Sequence, residues 1–481
     1  MNLHENLTML CDYYQLTMAN GYHQTEMREK ICYFELFFRS VPDKGGFAIC
    51  AGLAQVVEYI QNLHFSDQDI EFLRNKKIFS DDFLEHLKEF RFTGDLWAVE
   101  EGTPVFPKEP LLIVRSNAIE AQFIETYLLL AINHQTLVAS KSSRIVRAAE
   151  GRTIMEFGAR RAQGASAAVL GARASYIAGC HGTGCTMADE YHGAPAMGTM
   201  AHSWVQMFDS ELEAFDAYCD IYHDNVVLLV DTYDVLKSGV PNAITSFHKV
   251  LKNRKMKNFG IRLDSGDLTY LSIKAREMLD QAGLEDCKIV ASNALDEYII
   301  RDIIQQGAQI NSFGVGERLI TSRSEPVFGG VYKLVAVENE GKIVPKIKIS
   351  ENPAKVITPH FKKAYRIFSK ASGKAEADYL CLHDEEVDAT KPLELFDPDT
   401  TWKRKVYTDY ELRPLLKEIF RNGELVYELP TLEESRAYCA REIDTLWPEV
   451  KRFENPHHYY VDLSQKLWDN KQELLAQHKK T

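Results

Sequence analysis

A histidine set among small residues heads the groups in this chain that could do chemistry. His202 lies in the run Gly198 to Val205, GTMAHSWV, where Gly198, Thr199 and Ala201 leave room beside the imidazole and Ser203 follows at once. An accessible imidazole is a nucleophile or a proton carrier. The same ring, buried and satisfied by one hydrogen bond, is equally compatible with that run. Other reactive types stand at the ends of short apolar runs: Glu156, Phe157 and Arg160, then His181, Asp231, Arg262 with Asp264 and Asp267, Ser292 with Asn293, and Gly314 with Gly316. Aspartate and glycine end most strands for turn chemistry, so each is weak alone. Their recurrence at one strand end after another points to a site.

The chemistry these types share is the handling of an anionic sugar. DSGD, from Asp264 to Asp267, gives two carboxylates beside Arg262, able to hold ribose hydroxyls or a magnesium ion escorting phosphates. Asp231 ends the preceding strand. Between Lys141 and Arg173 the cations Lys141, Arg144, Arg147, Arg152, Arg160, Arg161 and Arg173 outnumber Glu150 and Glu156 in a chain of net charge -13, a destination for an anion. Arginine suits multidentate phosphate recognition. In FGVGERL, Gly314 and Gly316 let backbone N–H groups approach a phosphate, although the pattern lacks the full GxGxxG of a dinucleotide fold and no Walker lysine follows.

The elements that position these residues read as parallel βα units. Strand candidates are TIMEFG (153 to 158), YIAGCHG (176 to 182), GTMAHSWV, NVVLLVDTYD (225 to 234), NFGIRLDSGD (258 to 267), KIVASNA (288 to 294) and INSFGVG (310 to 316), alternating with helical segments. Ser210 with Glu213 predicts a capped helix, and Gly283 and Gly307 fall where helices would end. The expected fold is α/β, an irregular (β/α) barrel over residues 141–330 with catalytic groups at the C-terminal strand ends. A discontinuous α+β domain is expected beside it, built from residues 1–140 and 331–481. There, residues 7 to 21 read as a helix and 67 to 91 as polar helical segments. Residues 331–350 and 365–384 read as hairpins, and the helical stretch from Leu432 carries Trp447 and Trp468 as packing anchors before a solvated tail from Lys471 to Thr481.

A length of 481 residues suggests two or three domains, and 45% hydrophobic with 26% charged residues is globular composition. The net charge argues against nucleic acid or an anionic membrane as partner. Nine cysteines without a CxxC pair read as reduced thiols, not a zinc site. No basic leader opens the chain and no run approaches the ~18 apolar residues of a membrane span, so the cytoplasm is the expected location.

In order along the chain, DYYQLTM, EFGARRA, GTMAHSW, VDTYD, RLDSGDL, SNALDE and FGVGERL resemble the nicotinate phosphoribosyltransferase family, of the type II phosphoribosyltransferases. The resemblance implies transfer of phosphoribose from phosphoribosyl pyrophosphate to nicotinate, with Mg²⁺ and with ATP hydrolysis coupled through a phosphohistidine. It makes His202 that phosphohistidine and sets Tyr14 and Phe157 about the pyridine ring, Tyr14 coming from the partner in a homodimer. Arg160 faces the substrate anions, Arg262 and Asp264 the ribosyl pyrophosphate, and Gly314 with Gly316 the 5′-phosphate. Thr183, Ser203, Asp231, Asp267, Ser292 and Asn293 complete the expected substrate contacts, with no resident metal site of protein ligands. The loop Ala178 to Thr186 lacks the carboxylate that amide-using relatives carry, which favours nicotinate over nicotinamide. Competing readings are nicotinamide or quinolinate phosphoribosyltransferase and, in another class, a barrel hydrolase holding a metal with His181, His192, His202 and Asp231. The hydrolase lacks HxH or HExxH spacing.

Overall fold

The computed structural model describes residues 6–222, 224–252, 257–351, 355–398 and 400–478. The chain divides into two compact units, residues 1–140 with 327–481, and residues 141–326.

In the first unit, segments from both ends of the chain share one antiparallel sheet. Its order is Lys342–Pro345, Gly330–Asn339, Ile31–Phe38, Leu112–Asn117, Asp95–Val99, Leu416–Arg421 and Glu424–Leu425. The Ile31–Phe38 strand, ICYFELFF, is central and mostly buried, pairing Leu36 with Leu112 on one side and Tyr332 on the other. Both expected hairpins form. Glu340 and Gly341 take positive φ (50° and 74°) in the tight turn joining the first pair, as a two-residue hairpin turn demands. Lys362–Ser369 pairs antiparallel with Ala375–Leu382 in the second.

Several expectations for this unit need correction. The N-terminal helix starts at Tyr13, not Leu7, and runs Tyr13–His23, because Asp12 and Gln15 form a capping box there. Trp468 packs on the core, but Trp447 is 39% exposed and anchors little. The tail is helix Gln465–His478, and residues 479–481 lie outside the described part.

The second unit holds a six-stranded parallel sheet in the order Gly182–Thr183, Thr153–Glu156, Ser312–Val315, Lys288–Ser292, Asn258–Leu263 and Asn225–Leu229. Neighbours in space are not neighbours in sequence at Thr153–Glu156 and Ser312–Val315, so the first and last βα units meet there. Two of the seven expected strands read differently. Tyr176 and Ile177 finish helix Ala165–Ile177, leaving only Gly182–Thr183 as strand, and GTMAHSWV forms none. Its upstream flank makes one parallel bridge, Thr183 to Ala196, before His202 opens the short helix His202–Gln206. Ser210 caps helix Glu211–Ile221 by accepting from the Glu213 N–H, and Gly283 and Gly307 take positive φ just after their helices. Among the described residues no helix is long and apolar enough to cross a membrane.

Candidate active site

At the C-terminal ends of the parallel strands the second unit carries a cavity of about 850 Å³. Phe157 sits in its wall directly after the first strand. Its N–H donates to the Val315 carbonyl (2.8 Å), which ties it to the neighbouring strand. Glycine surrounds its ring. A Cβ on Gly314 would stand 2.5 Å from the ring's Cδ2, and one on Gly184 3.2 Å from Cδ1. These glycines make room for an aromatic ring, and that packing by itself requires a glycine at 314. Gly316 is similarly crowded, its Cβ position 3.0 Å from the Phe157 carbonyl oxygen. Gly314→Ala is therefore expected to displace the ring, at a cost of about 1–3 kcal/mol for overpacking. The midpoint of thermal unfolding checks it and should fall.

Asn258–Leu263 and its neighbours deliver the polar groups. Ser292 Oγ donates to Asp264 Oδ1. Asp231, with its side chain 1% exposed, accepts through Oδ2 from the Asp264 N–H (3.2 Å) and from Ser265 Oγ (2.6 Å). His202 stands beside both acids, its Nε2 4.0 Å from Asp231 Oδ1 and 3.8 Å from Asp264 Oδ2, while Nδ1 lies 3.1 Å from Thr232 Oγ1. The ring is held on one edge and faces two carboxylates on the other. Beyond Ser292 the chain turns through Asn293 and Ala294 at φ 82° and 52°. Two consecutive non-glycine residues in the left-handed region are strained, a cost met where a site over-determines the backbone. Both line the cavity.

Electrostatics then fix what the cavity can hold. Arg160, Arg161, Arg262, Arg318 and Arg323 line it against the acids Asp264 and Glu317. Arg262 Nη1 donates to Thr199 Oγ1 (2.5 Å), but its buried Nε has no hydrogen-bond partner among the described residues. Burial pulls the Arg262 pKa below its ordinary value, against the pull of Asp264 and Asp231, and Arg160 adds to the lowering. A desolvated guanidinium with an unused donor is relieved by an incoming anion, and hydrogen bonds to charged groups contribute about 1.5–3 kcal/mol each.

Comparison with known proteins agrees. The family model for the nicotinate phosphoribosyltransferase N-terminal domain matches residues 9–133, and that for its C-terminal domain residues 361–471. The chain is 43% identical to the nicotinate phosphoribosyltransferase of Bacillus subtilis (strain 168), over 98% of this chain and 96% of that one. The chain belongs to the nicotinate phosphoribosyltransferase family. The crystal structure of human nicotinic acid phosphoribosyltransferase superposes with a TM-score of 0.84 at 29% identity, covering 97% of this chain and all of that one. Nicotinate-nucleotide pyrophosphorylase from Pyrococcus furiosus, at 22% identity and TM-score 0.70 over 92% and 96% of the two chains, shares the fold.

Within this family's site the expected residues divide into those at the cavity and those employed elsewhere. Phe157, Arg160, Arg262, Asp264, Ser292, Asn293, Gly314 and Gly316 line it, while His202 and Asp231 stand next to Asp264 at its edge. Thr183 does not line it: its buried Oγ1 donates to Glu156 Oε2 (2.6 Å) and accepts from the Cys185 N–H (3.0 Å). Asp267 caps helix Leu268–Gln281 by accepting from the Tyr270 N–H (2.8 Å), a structural role of the kind aspartate takes at strand and helix ends. Ser203 is exposed within the first turn of its helix and away from the lining. Tyr14 belongs to the first unit, where it is 48% exposed with its hydroxyl 3.4 Å from Glu125 Oε2.

The cationic run is corrected more sharply. Lys141 and Arg144 clasp the fully buried Glu297 (2.8 Å each), Arg152 donates to the Ile310 carbonyl, and Arg147 is buried deeply enough to bring its pKa down to about 10. Only Arg160 and Arg161 of that run line the cavity. Arg318 and Arg323, missed in sequence, supply the rest: Asp296 holds Arg318 and Glu317 holds Arg323 (3.0 Å). Arg318 lies within the quoted FGVGERL, so its signal was in view. Finally, among the described residues no three His, Cys, Asp or Glu side chains converge as metal ligands, and His181 and His192 line no part of the cavity, which removes the geometry the hydrolase reading needs.

Proposed function

We propose that this chain, an enzyme of the nicotinate phosphoribosyltransferase family, transfers phosphoribose from phosphoribosyl pyrophosphate to nicotinate, giving nicotinate mononucleotide and pyrophosphate for NAD biosynthesis by salvage, with ATP hydrolysis coupled through phosphorylated His202. The observation that carries this reading is the under-compensated Arg262 in a cavity with four further arginines, set in a chain of net charge -13. Segment 195–199, bridged to Thr183 and tied to Arg262, acts in this reading as the wall that completes an irregular barrel.

Breaking the ribose–pyrophosphate bond develops positive charge on the sugar and negative charge on the leaving group. Arg262, Arg160 and Arg318 stabilise the leaving group where it forms, which counts for more than holding the ground state. Asp264, oriented by Ser292, receives ribose hydroxyls. Phe157 stacks on the pyridine ring of nicotinate and keeps its nitrogen over the sugar. Asp231 and Asp264 also fit Mg²⁺, since Asp231 Oδ1 is buried without a hydrogen-bond partner among the described residues and lies, like Asp264 Oδ2, within 4.0 Å of His202 Nε2. When bound with phosphates, that ion supplies charge neutralisation at the leaving group, a task needing only one or two protein carboxylates. His202 carries the phosphate from ATP beside these acids, bringing extra negative charge to the same place.

Assembly follows the same reading. Leu10, Tyr13, Tyr14 and Met18 are all more than a third exposed about the N-terminal helix, an apolar face that a second copy covers in a homodimer. Tyr14 then completes the site of the partner.

Product analysis with phosphoribosyl pyrophosphate and a panel of pyridine acceptors tests the assignment. Nicotinate should be consumed and nicotinamide left, and equal turnover of the amide would sink the acceptor claim. Gly184 offers the converse test because it lies in the cavity wall beside the Phe157 ring. Gly184→Asp sets a carboxylate against the substrate carboxylate and is expected to lower kcat/KM for nicotinate roughly 100-fold, while the value for nicotinamide falls less.

A further inference from the structure

Glu156 is the last residue of its strand and is wholly buried, yet no cation touches it among the described contacts. Its carboxylate bends back over the turn it precedes. Oε1 accepts from the Gly158 N–H and Oε2 from Thr183 Oγ1 (2.6 Å) on the adjoining strand. Phe157 lies between the carboxylate's own backbone and its first partner. The Glu156 carbonyl accepts from the Gly184 N–H (2.7 Å), so the same residue also fixes the glycine against which the ring rests. Gly158 has no room for a side chain: a Cβ there would meet Ile320 at 2.6 Å and Glu156 Oε1 at 2.7 Å.

Burying a carboxylate without a cation is costly, and an apolar residue would serve a plain strand end better. What the carboxylate supplies is two acceptors aimed at the two backbone segments that bracket the ring. Burial raises the Glu156 pKa above its ordinary value, and the Thr183 hydroxyl and the Gly158 N–H offset part of that rise. The strand ends on either side of Phe157 are thus locked by one side chain that itself never reaches the cavity.

We propose that Glu156, with Thr183, is a positioning residue that sets the Phe157 ring for the acceptor and thereby determines affinity for nicotinate, but not for phosphoribosyl pyrophosphate. The inference rests on the reading that Phe157 stacks on the acceptor. Arg160 apart, the ribosyl pyrophosphate contacts come from other strand ends, so the two substrates should respond differently.

Initial rates on the full chain carrying Glu156→Gln, Thr183→Val, Thr183→Ser or Phe157→Ala test it, with KM measured for each substrate separately. An amide at 156 turns one acceptor into a donor, and valine at 183 keeps the shape but removes the hydroxyl. Each is expected to raise KM for nicotinate about tenfold, as a modest misplacement of a positioned group can, and to leave KM for phosphoribosyl pyrophosphate within twofold. Thr183→Ser, which keeps the hydroxyl, should stay near the unsubstituted protein. Glu156→Gln added to Phe157→Ala should cost nothing further for nicotinate. If Glu156→Gln does not fold, Thr183→Val carries the comparison, since it leaves the Gly158 contact intact. Equal rises in both KM values, an undiminished effect on the Phe157→Ala background, or no effect at all would overturn the positioning role. Phe157→Ala with unchanged KM for nicotinate would instead overturn the stacking reading, and the positioning role with it.

Discussion

His202→Ala protein is expected to take up no acid-labile label from γ-labelled ATP and to lose all stimulation of transfer by ATP, while keeping a residual ATP-independent transfer. The loss should be complete because no substitute nucleophile shares the position. His202 Nε2 is the imidazole nitrogen within 4.0 Å of both Asp231 and Asp264, and the ring is held from the other edge by Thr232. Residual transfer follows from the separate placement of the ribosyl pyrophosphate groups, since Arg262 and Ser292 make their contacts without the imidazole. A phosphate on His202 would stand against two carboxylates, a repulsion that only a bound cation relieves, so labelling should also require magnesium. His181 and His192 stand outside the cavity lining, His181 just before the strand Gly182–Thr183 rather than at its end. Undiminished histidine labelling in the substituted protein would nevertheless make one of them the carrier.

How far the sequence disclosed this site depends on which physical signal each residue leaves. Strand ends were legible, because short apolar runs stopped by Asp, Ser or Gly are a local pattern that parallel strands impose, and Phe157, Arg262, Asp264, Ser292 and Gly314 were found that way. Reading GTMAHSWV as a strand failed because small residues are permissive. What the chain does there depends on Thr199 reaching Arg262, a contact sixty-three positions away that no window contains. The charge run failed for a related reason. A count of cations cannot tell Arg160, which faces the cavity, from Lys141 and Arg144, whose charge is spent on the buried Glu297. Paired glycines in FGVG signal close approach after a strand but not everything that approaches: the Phe157 ring of the neighbouring strand crowds Gly314, and the pairing of Thr153–Glu156 with Ser312–Val315 that brings it there lies outside any local window. The two units' composition from separate chain segments had a better signal, the end of the βα rhythm near Val331.

Mixing Tyr14→Ala and His202→Ala proteins, each impaired alone in coupled transfer, is expected to restore it. The N-terminal helix carries Tyr14 with Tyr13 and Met18, and Leu10 just precedes it, all exposed, although apolar surface of this kind is costly to leave in water. Among the described residues the Tyr14 hydroxyl bonds to Glu125 at 3.4 Å, and burial and that carboxylate together raise its pKa above the usual tyrosine value. It therefore stays neutral, a stacking ring rather than an ionisable group. If a two-fold axis joins two copies through this face, each site takes Tyr14 from one chain and His202 from the other. A mixed dimer then holds one site with both lesions and one with neither. Coupled activity per mixed dimer should reach about half that of the unsubstituted dimer by this symmetry, measured after subunit exchange verified with differently tagged chains. If Tyr14 served its own chain's site, every site in the mixture would keep one lesion, and activity would stay at the level of the separate proteins however complete the exchange.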